Sequence, residues 1–403
     1  MTMAADRLDD PELLEAADPA GMLRQVASSA AQVRAAAAST AETDLSPVTG
    51  AGRPRAVVVT GMGGSGIAGQ VLAAVCGPGC PVQVAVVHDY RLPGWVGAAD
   101  LVISVSCSGR TEETLSATAE AVRRGCRLIA VGGSGSPLAA MAEQASAPMV
   151  AVRSAGQPRS TLWGLSVPLL VIAAQLGLAD LRPDAYESAA AELERVSHLC
   201  RPDSESFVNP GKSLALDLAG TLPLIWGTSP LTAVAGYRFA CQLNENAKYP
   251  AIPGVLPEAN HNQVVTFDGP FGSGPGGGQA AAPAPGAAGG WDAGGDLDLD
   301  PELDRDLDRE LGLRQASVPI RLVLLRDTQE HPQVTRRREE SAQLASERGI
   351  AVSELAAEGD QPLARLASLV QLIDYASVYL GIACGIDPGP VAVIEELKAR
   401  IAQ

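Results

Sequence analysis

The feature that most constrains this chain is a rhythm of short β-branched runs, each closed by a glycine- or serine-rich turn and followed by a helical pattern. Ala56–Thr60 reads AVVVT and runs into GMGGSG, and residues 67–75 then carry a helical pattern. Similar runs occupy 82–87, 101–105, 127–131 and 149–152, with helices predicted over 112–124, Pro137–Gln144 and 158–176. Runs that are apolar throughout are buried on both faces, and strands alternating with helices imply parallel crossovers. The second half repeats the theme. Strands are predicted at 222–226, 264–267, 320–325 and 351–355, and helices at 231–243, 333–348, 362–383 and 391–402. The expected fold class is α/β: two tandem αβα sandwiches with parallel, flavodoxin-like sheets. A helical segment and connector (1–55, one helix to about residue 38) precedes a first domain over 56–185 and a second over 186–403.

The rhythm is interrupted once. Residues 269–290 are almost wholly Gly, Ala and Pro, and 292–310 carry nine acids against two arginines. Such composition cannot bury enough apolar area to offset its ordering entropy, so 269–315 reads as a disordered insertion in the second domain. The formal net charge of −16 argues against a broad basic surface for nucleic acid. Seven cysteines without CxxC spacing argue against a disulfide framework or a structural zinc site. No apolar run near the start or elsewhere reads as a signal peptide or a membrane span, and the expected setting is cytoplasmic.

Three features carry the chemistry, the first two at carboxyl ends of predicted strands, where ligands of wound sheets bind. GMGGSG (61–66) opens a helix and presents backbone amides to an anion. It also fits GxGxxG, with Asp89 ending the next strand 23 residues after Gly66, so a dinucleotide site on Gly61, Gly63, Gly66 and Asp89 is an alternative. SCSGRT (106–111) discriminates. Hydroxyls on Ser106, Ser108 and Thr111 at the start of another helix suit a terminal phosphate monoester with three exposed oxygens. The third feature is the polar stretch QLNENAKYPAIPGVLPEANHNQV (242–264), read as a loop after a helix end. It brings a carboxylate, Glu245, and an imidazole, His261, the side-chain types most used for proton transfer near neutral pH.

GMGGSG, SCSGRTEETL and NENAK…PEANHN together resemble the sugar isomerase (SIS) domain family, and within it the bifunctional phosphoglucose/phosphomannose isomerases. The resemblance spans about 56–268 and 318–403 and makes the two sandwiches SIS-type. It implies that Gly63, Gly64, Ser65, Ser106, Ser108 and Thr111 hold the substrate phosphate, and that Arg159 stabilises enediolate charge. It further implies that Glu245 shuttles the proton between C1 and C2. His261 opens the sugar ring from the neighbouring subunit of a homodimer, and Lys398 sits at the ring oxygen or O1. The substrate is then a sugar 6-phosphate, with no metal or other cofactor. Two positions depart from the family pattern: Cys107 replaces a common aromatic, and Val391 stands where a Thr linked to dual epimer specificity is common. An alternative is a non-catalytic SIS protein that senses a sugar phosphate, which needs the cup but not Glu245 and His261.

Overall fold

The computed structural model describes residues 7–154, 156–272 and 318–401. Over the stretch expected as one helix, the described residues include three separate ones, α1 (Pro11–Ala17), α2 (Met22–Ala27) and α3 (Ser29–Ala41). The single helix expected to residue 38 breaks at Asp18-Pro19-Ala20-Gly21. The Asp18 carboxylate accepts from the Met22 and Leu23 amides, and Gly21 takes a left-handed conformation (φ 64°) that a residue with a Cβ adopts at a cost. These helices are no appendage, since Leu14, Met22, Val26 and Val33 enter the main core.

The first sheet contains β1 (Ala56–Thr60), β2 (Gln83–Val87), β3 (Leu101–Ser106), β4 (Arg127–Gly132) and β5 (Met149–Ala151), all parallel in the order β2-β1-β3-β4-β5. Helices α4 (Gly64–Cys76), α5 (Glu112–Arg123) and α6 (Pro137–Gln144) connect them, and α7 (Leu162–Gln175) follows. Each strand is completed within a residue or so of its sequence-based position; the central β1 and β3 are largely apolar and buried from end to end.

Two helices with no counterpart in the sequence-based scheme, α8 (Pro183–Leu199) and α9 (Pro210–Leu218), lead to the second sheet. That sheet contains β6 (Leu222–Gly227), β7 (Ile252–Val255), β8 (Ile320–Arg326) and β9 (Ala351–Ala356) in the parallel order β7-β6-β8-β9. It repeats the winding of the first sheet without a fifth strand. The helices here are α10 (Pro230–Ala247), α11 (Pro332–Glu347), α12 (Pro362–Ala383) and α13 (Ala392–Ile401). Residues 264–267 are not a strand. They lie in a 3₁₀ turn, Gln263–Asp268, pinned by Trp226 Nε1 donating to Gln263 Oε1 (2.6 Å) and by stacking of Trp226 on Phe267. Most of the 269–315 insertion lies outside the described residues. The Ile320 amide donates to the Phe271 carbonyl (2.8 Å), so the chain on either side of it is joined at the start of β8.

In each sheet the strand order reverses beside its first strand, creating a crevice at the carboxyl edge. In the second sheet a carboxylate of the chain itself fills that crevice. Asp327 accepts from Ser229 Oγ (2.8 Å) at the start of α10 and pairs with buried Arg365 (2.8 Å). The corresponding crevice between β1 and β3 holds no such acid and is lined by hydroxyls. α12 is long and apolar enough to cross a membrane, but 94% of its apolar window is buried within the fold.

The two halves meet where α10 packs against α4, and within the second half α10 packs along α12. Arg238 and Asp374, 2% and 4% exposed, form a two-pronged ion pair there (2.9 and 2.6 Å). Removing one partner of a buried pair leaves an uncompensated charge, so Arg238→Met is expected to cost about 3–5 kcal/mol of folding stability, read by chemical denaturation. Surface pairs such as Arg34–Glu187 should cost less than about 1 kcal/mol when broken.

Candidate active site

Both loops of the first crevice are shaped by their glycines. Gly63 (φ 53°) turns the chain into α4, and Gly109 (φ 64°) turns it between Ser108 and Arg110. Ser65 Oγ accepts from the Cys107 amide (3.3 Å) and so ties one loop to the other. Ser106 Oγ and Thr111 Oγ1 lie 2.9 Å apart, and Ser108 Oγ accepts from the Arg110 amide (3.2 Å). Ser106 is fully buried, Thr111 half-buried and Ser108 exposed, so the hydroxyls grade from the floor of a cup to its rim. Thr111 is also the residue from which α5 starts, but its side chain caps no amide. Gly63 and Gly64 line the same edge, and a Cβ built on Gly64 would lie 3.8 Å from the Pro158 carbonyl. The turn carrying Arg159 therefore abuts the cup.

The structure gives His88, at the end of β2, a structural task. Its Nδ1 lies 2.8 Å from the Gly61 carbonyl, bracing the first loop. Gly66 leaves the room: a Cβ there would come within 2.6 Å of that same nitrogen. The third glycine of the apparent dinucleotide fingerprint thus accommodates an imidazole.

Arg159 sits in the turn Pro158–Ser160, only 4% exposed. From behind, Gln25 Oε1 accepts from the Gln157 amide (2.7 Å) and Ser160 Oγ (3.0 Å), so α2 holds the turn in place. Its guanidinium donates to Asn246 Oδ1 (2.7 Å) and to the carbonyls of Pro388 (2.5 Å) and Gly389 (2.7 Å). Its Nη1 lies 3.9 Å from Glu245 Oε2. Burial lowers the Arg159 pKa from its ordinary value, opposed by Glu245 and Asp387.

Glu245 lies in the last turn of α10, which runs on to Ala247 where the sequence-based helix stopped at residue 243. Gln242 and Asn246 are buried because each finds a polar partner on another element. Gln242 Nε2 donates to Asp374 (3.1 Å) and Asn246 Nδ2 to Ser377 Oγ (2.9 Å). The Glu245 side chain remains about one third exposed, and among the described residues no hydrogen bond restrains its carboxylate. Among the described residues Arg159 and Glu245 are brought together, and the turn bearing Arg159 touches the cup.

The structure does not bring His261 or Lys398 to them. His261 is exposed in the turn Glu258–His261, which packs through Leu256, Ala259 and Phe267 on the face of the second sheet opposite α10. Lys398 stands on α13, which buries none of its residues. Sequence reasoning also missed Arg238, Gln242, Asn246 and Asp374. The signal was present: Arg238, Gln242, Glu245 and Asn246 recur at helical spacing on one face, and Asp374 is the only acid in a largely apolar 22-residue helix.

Comparison with known proteins decides the family. Residues 207–401 match the model of the bacterial phospho-glucose isomerase C-terminal SIS domain. The bifunctional phosphoglucose/phosphomannose isomerase of Caldicellulosiruptor bescii is 32% identical over 347 residues, 86% of this chain and 89% of that one. The chain belongs to the bifunctional phosphoglucose/phosphomannose isomerase family. The Aquifex aeolicus member of the family is 30% identical over 359 residues, 89% of this chain and 92% of its own. A solved putative phosphosugar isomerase from Clostridium difficile shares the fold at 12% identity, with a TM-score of 0.63 over 93% of this chain and 97% of its own.

Gly66→Ala should push His88 off Gly61 and loosen the cup. Inorganic phosphate is expected to raise the melting temperature of the wild type and to do so less for this variant, by differential scanning fluorimetry.

Proposed function

We propose that this protein interconverts aldose and ketose hexose 6-phosphates, with glucose 6-phosphate and fructose 6-phosphate as the first pair and mannose 6-phosphate as a further substrate. The observation that carries this is the pairing of Glu245 with buried Arg159, 3.9 Å apart beside the hydroxyl cup, in a chain of this family. Binding a sugar phosphate needs the cup alone. A partly exposed carboxylate against a buried cation is what moving a proton alpha to a carbonyl requires.

In the proposed cycle Ser65, Ser106, Ser108 and Thr111 hold the phosphate with the loop amides at Gly63 and Gly64. His261 opens the ring, Glu245 takes the proton from C2 and returns it at C1, and Arg159 stabilises the oxyanion of the cis-enediolate. Lys398 faces the ring oxygen or O1. Such a base contributes about 10²- to 10⁴-fold and an oxyanion donor about 10²- to 10³-fold. His261 would act in the site of a second subunit. Its exposure supports this, as do the exposed Ile252, Val255 and Val265 nearby, which a second copy would cover. Val391 lies two residues beyond Gly389, whose carbonyl holds Arg159, and so stands where loss of a hydroxyl would bear on the choice between epimers.

With purified protein and glucose 6-phosphate, fructose 6-phosphate should form, and Glu245→Gln should lower kcat by about 10²-fold or more. Tight binding without turnover, or a Glu245→Gln variant as active as the wild type, would point to a sensor instead. Mixing inactive Glu245→Gln and His261→Ala chains under conditions that exchange subunits should restore about a quarter of wild-type activity, since each heterodimer then carries one intact site. No recovery would mean that His261 serves its own subunit.

A further inference from the structure

Lys248 closes α10 in a left-handed conformation (φ 53°, ψ 36°), a position usually taken by Gly or Asn. A residue held there against its preference points to a task for its side chain. The ammonium donates to the Glu245 carbonyl (2.9 Å) and across the chain to the Asp387 carbonyl (3.1 Å). Asp387 begins the 387–390 loop, in which the Gly389 amide donates to Asp387 Oδ1 (2.8 Å) and the Pro388 and Gly389 carbonyls accept from Arg159. α13, with Lys398, departs from the same loop. One side chain thus joins the helix end bearing Glu245 to the loop that orients Arg159.

We propose that Lys248 is a positioning residue of the isomerase site: its ammonium latches the 387–390 loop to the end of α10 and so fixes the Arg159 guanidinium relative to Glu245. The proposal rests on the isomerase function argued above. A compact ammonium with three donors spans two carbonyls at the available angles, where a planar guanidinium fits less well. That matters in a chain with three lysines among 30 basic residues. Lys248 also adds positive charge beside the Glu245 carboxylate. Burial lowers the Lys248 pKa, aided by Arg159 and opposed by Asp387 and Glu245.

The test compares Lys248→Gly and Lys248→Arg with the wild type. Glycine suits the left-handed position, so Lys248→Gly should keep its melting temperature. Inhibition by inorganic phosphate, which reports the cup, should stay unchanged. Its kcat should fall about 10- to 100-fold, as expected for a small misplacement of reacting groups. Lys248→Arg keeps a donor at this position and should give a kcat between the two. Hydrogen–deuterium exchange over 385–401 should quicken in Lys248→Gly, a readout independent of turnover. Unchanged kcat and exchange in Lys248→Gly would overturn the latch. Absence of turnover in the wild type itself would instead remove the isomerase assignment, and exchange over 385–401 would still judge the latch.

Discussion

The buried pair of Arg238 and Asp374 is the interaction on which the site depends. Taking both charges from water is expensive, and the cost is recovered only with near-ideal geometry and further bonds. Both conditions are met. The guanidinium engages both carboxylate oxygens, Gln242 donates to one of them, and a remaining Arg238 N–H reaches the Arg159 carbonyl (3.1 Å). That last bond links the second half of the chain to the backbone of the turn supplying the site's buried cation. A well-packed apolar pair could join α10 to α12 at least as strongly, but it would not hold the main chain of residue 159.

From that contact the division of labour between the sheets follows. They share one winding order, yet only the first leaves its crevice open and lined with hydroxyls. In the second, Asp327 takes the place of an anion and secures the start of α10 through Ser229. The same helix is thus tied down at its beginning by Asp327, along its length by Asp374 and at its end through Lys248. Glu245 is presented from a rigid element while its own carboxylate stays free, which is the combination that proton transfer needs.

Much of this was legible in the sequence, for identifiable reasons. β1 and β3 announce themselves because strands buried on both faces must be apolar throughout, and the cup because hydroxyls and glycines fall at strand ends. The stretch from 242 to 264 was not. Its first residues looked like a loop because their burial depends on partners about 130 positions away, Asp374 and Ser377, which no local pattern reveals. The true strand Ile252–Val255 contains Pro253 and Gly254, residues that argue against a central strand but are tolerated in β7 because it lies at the sheet edge. The run VVTF looked like a strand, yet Trp226 and Gln263 draw it into a 3₁₀ turn. The N-terminal helices likewise read as a separate segment. Gln25, which holds the Arg159 turn, carries no sequence mark of that contact.

Everything proposed for the chemistry requires one substrate to reach from the cup on the first sheet to Glu245 on the second. A crystal structure with fructose 6-phosphate bound tests this most directly. The phosphate should lie among Ser65, Ser106, Ser108 and Thr111, with the C1–C2 bond against the Glu245 carboxylate and Arg159 on the adjacent oxygens. A phosphate seated in the cup with C1 and C2 directed away from Glu245, or a sugar phosphate bound elsewhere, would contradict it.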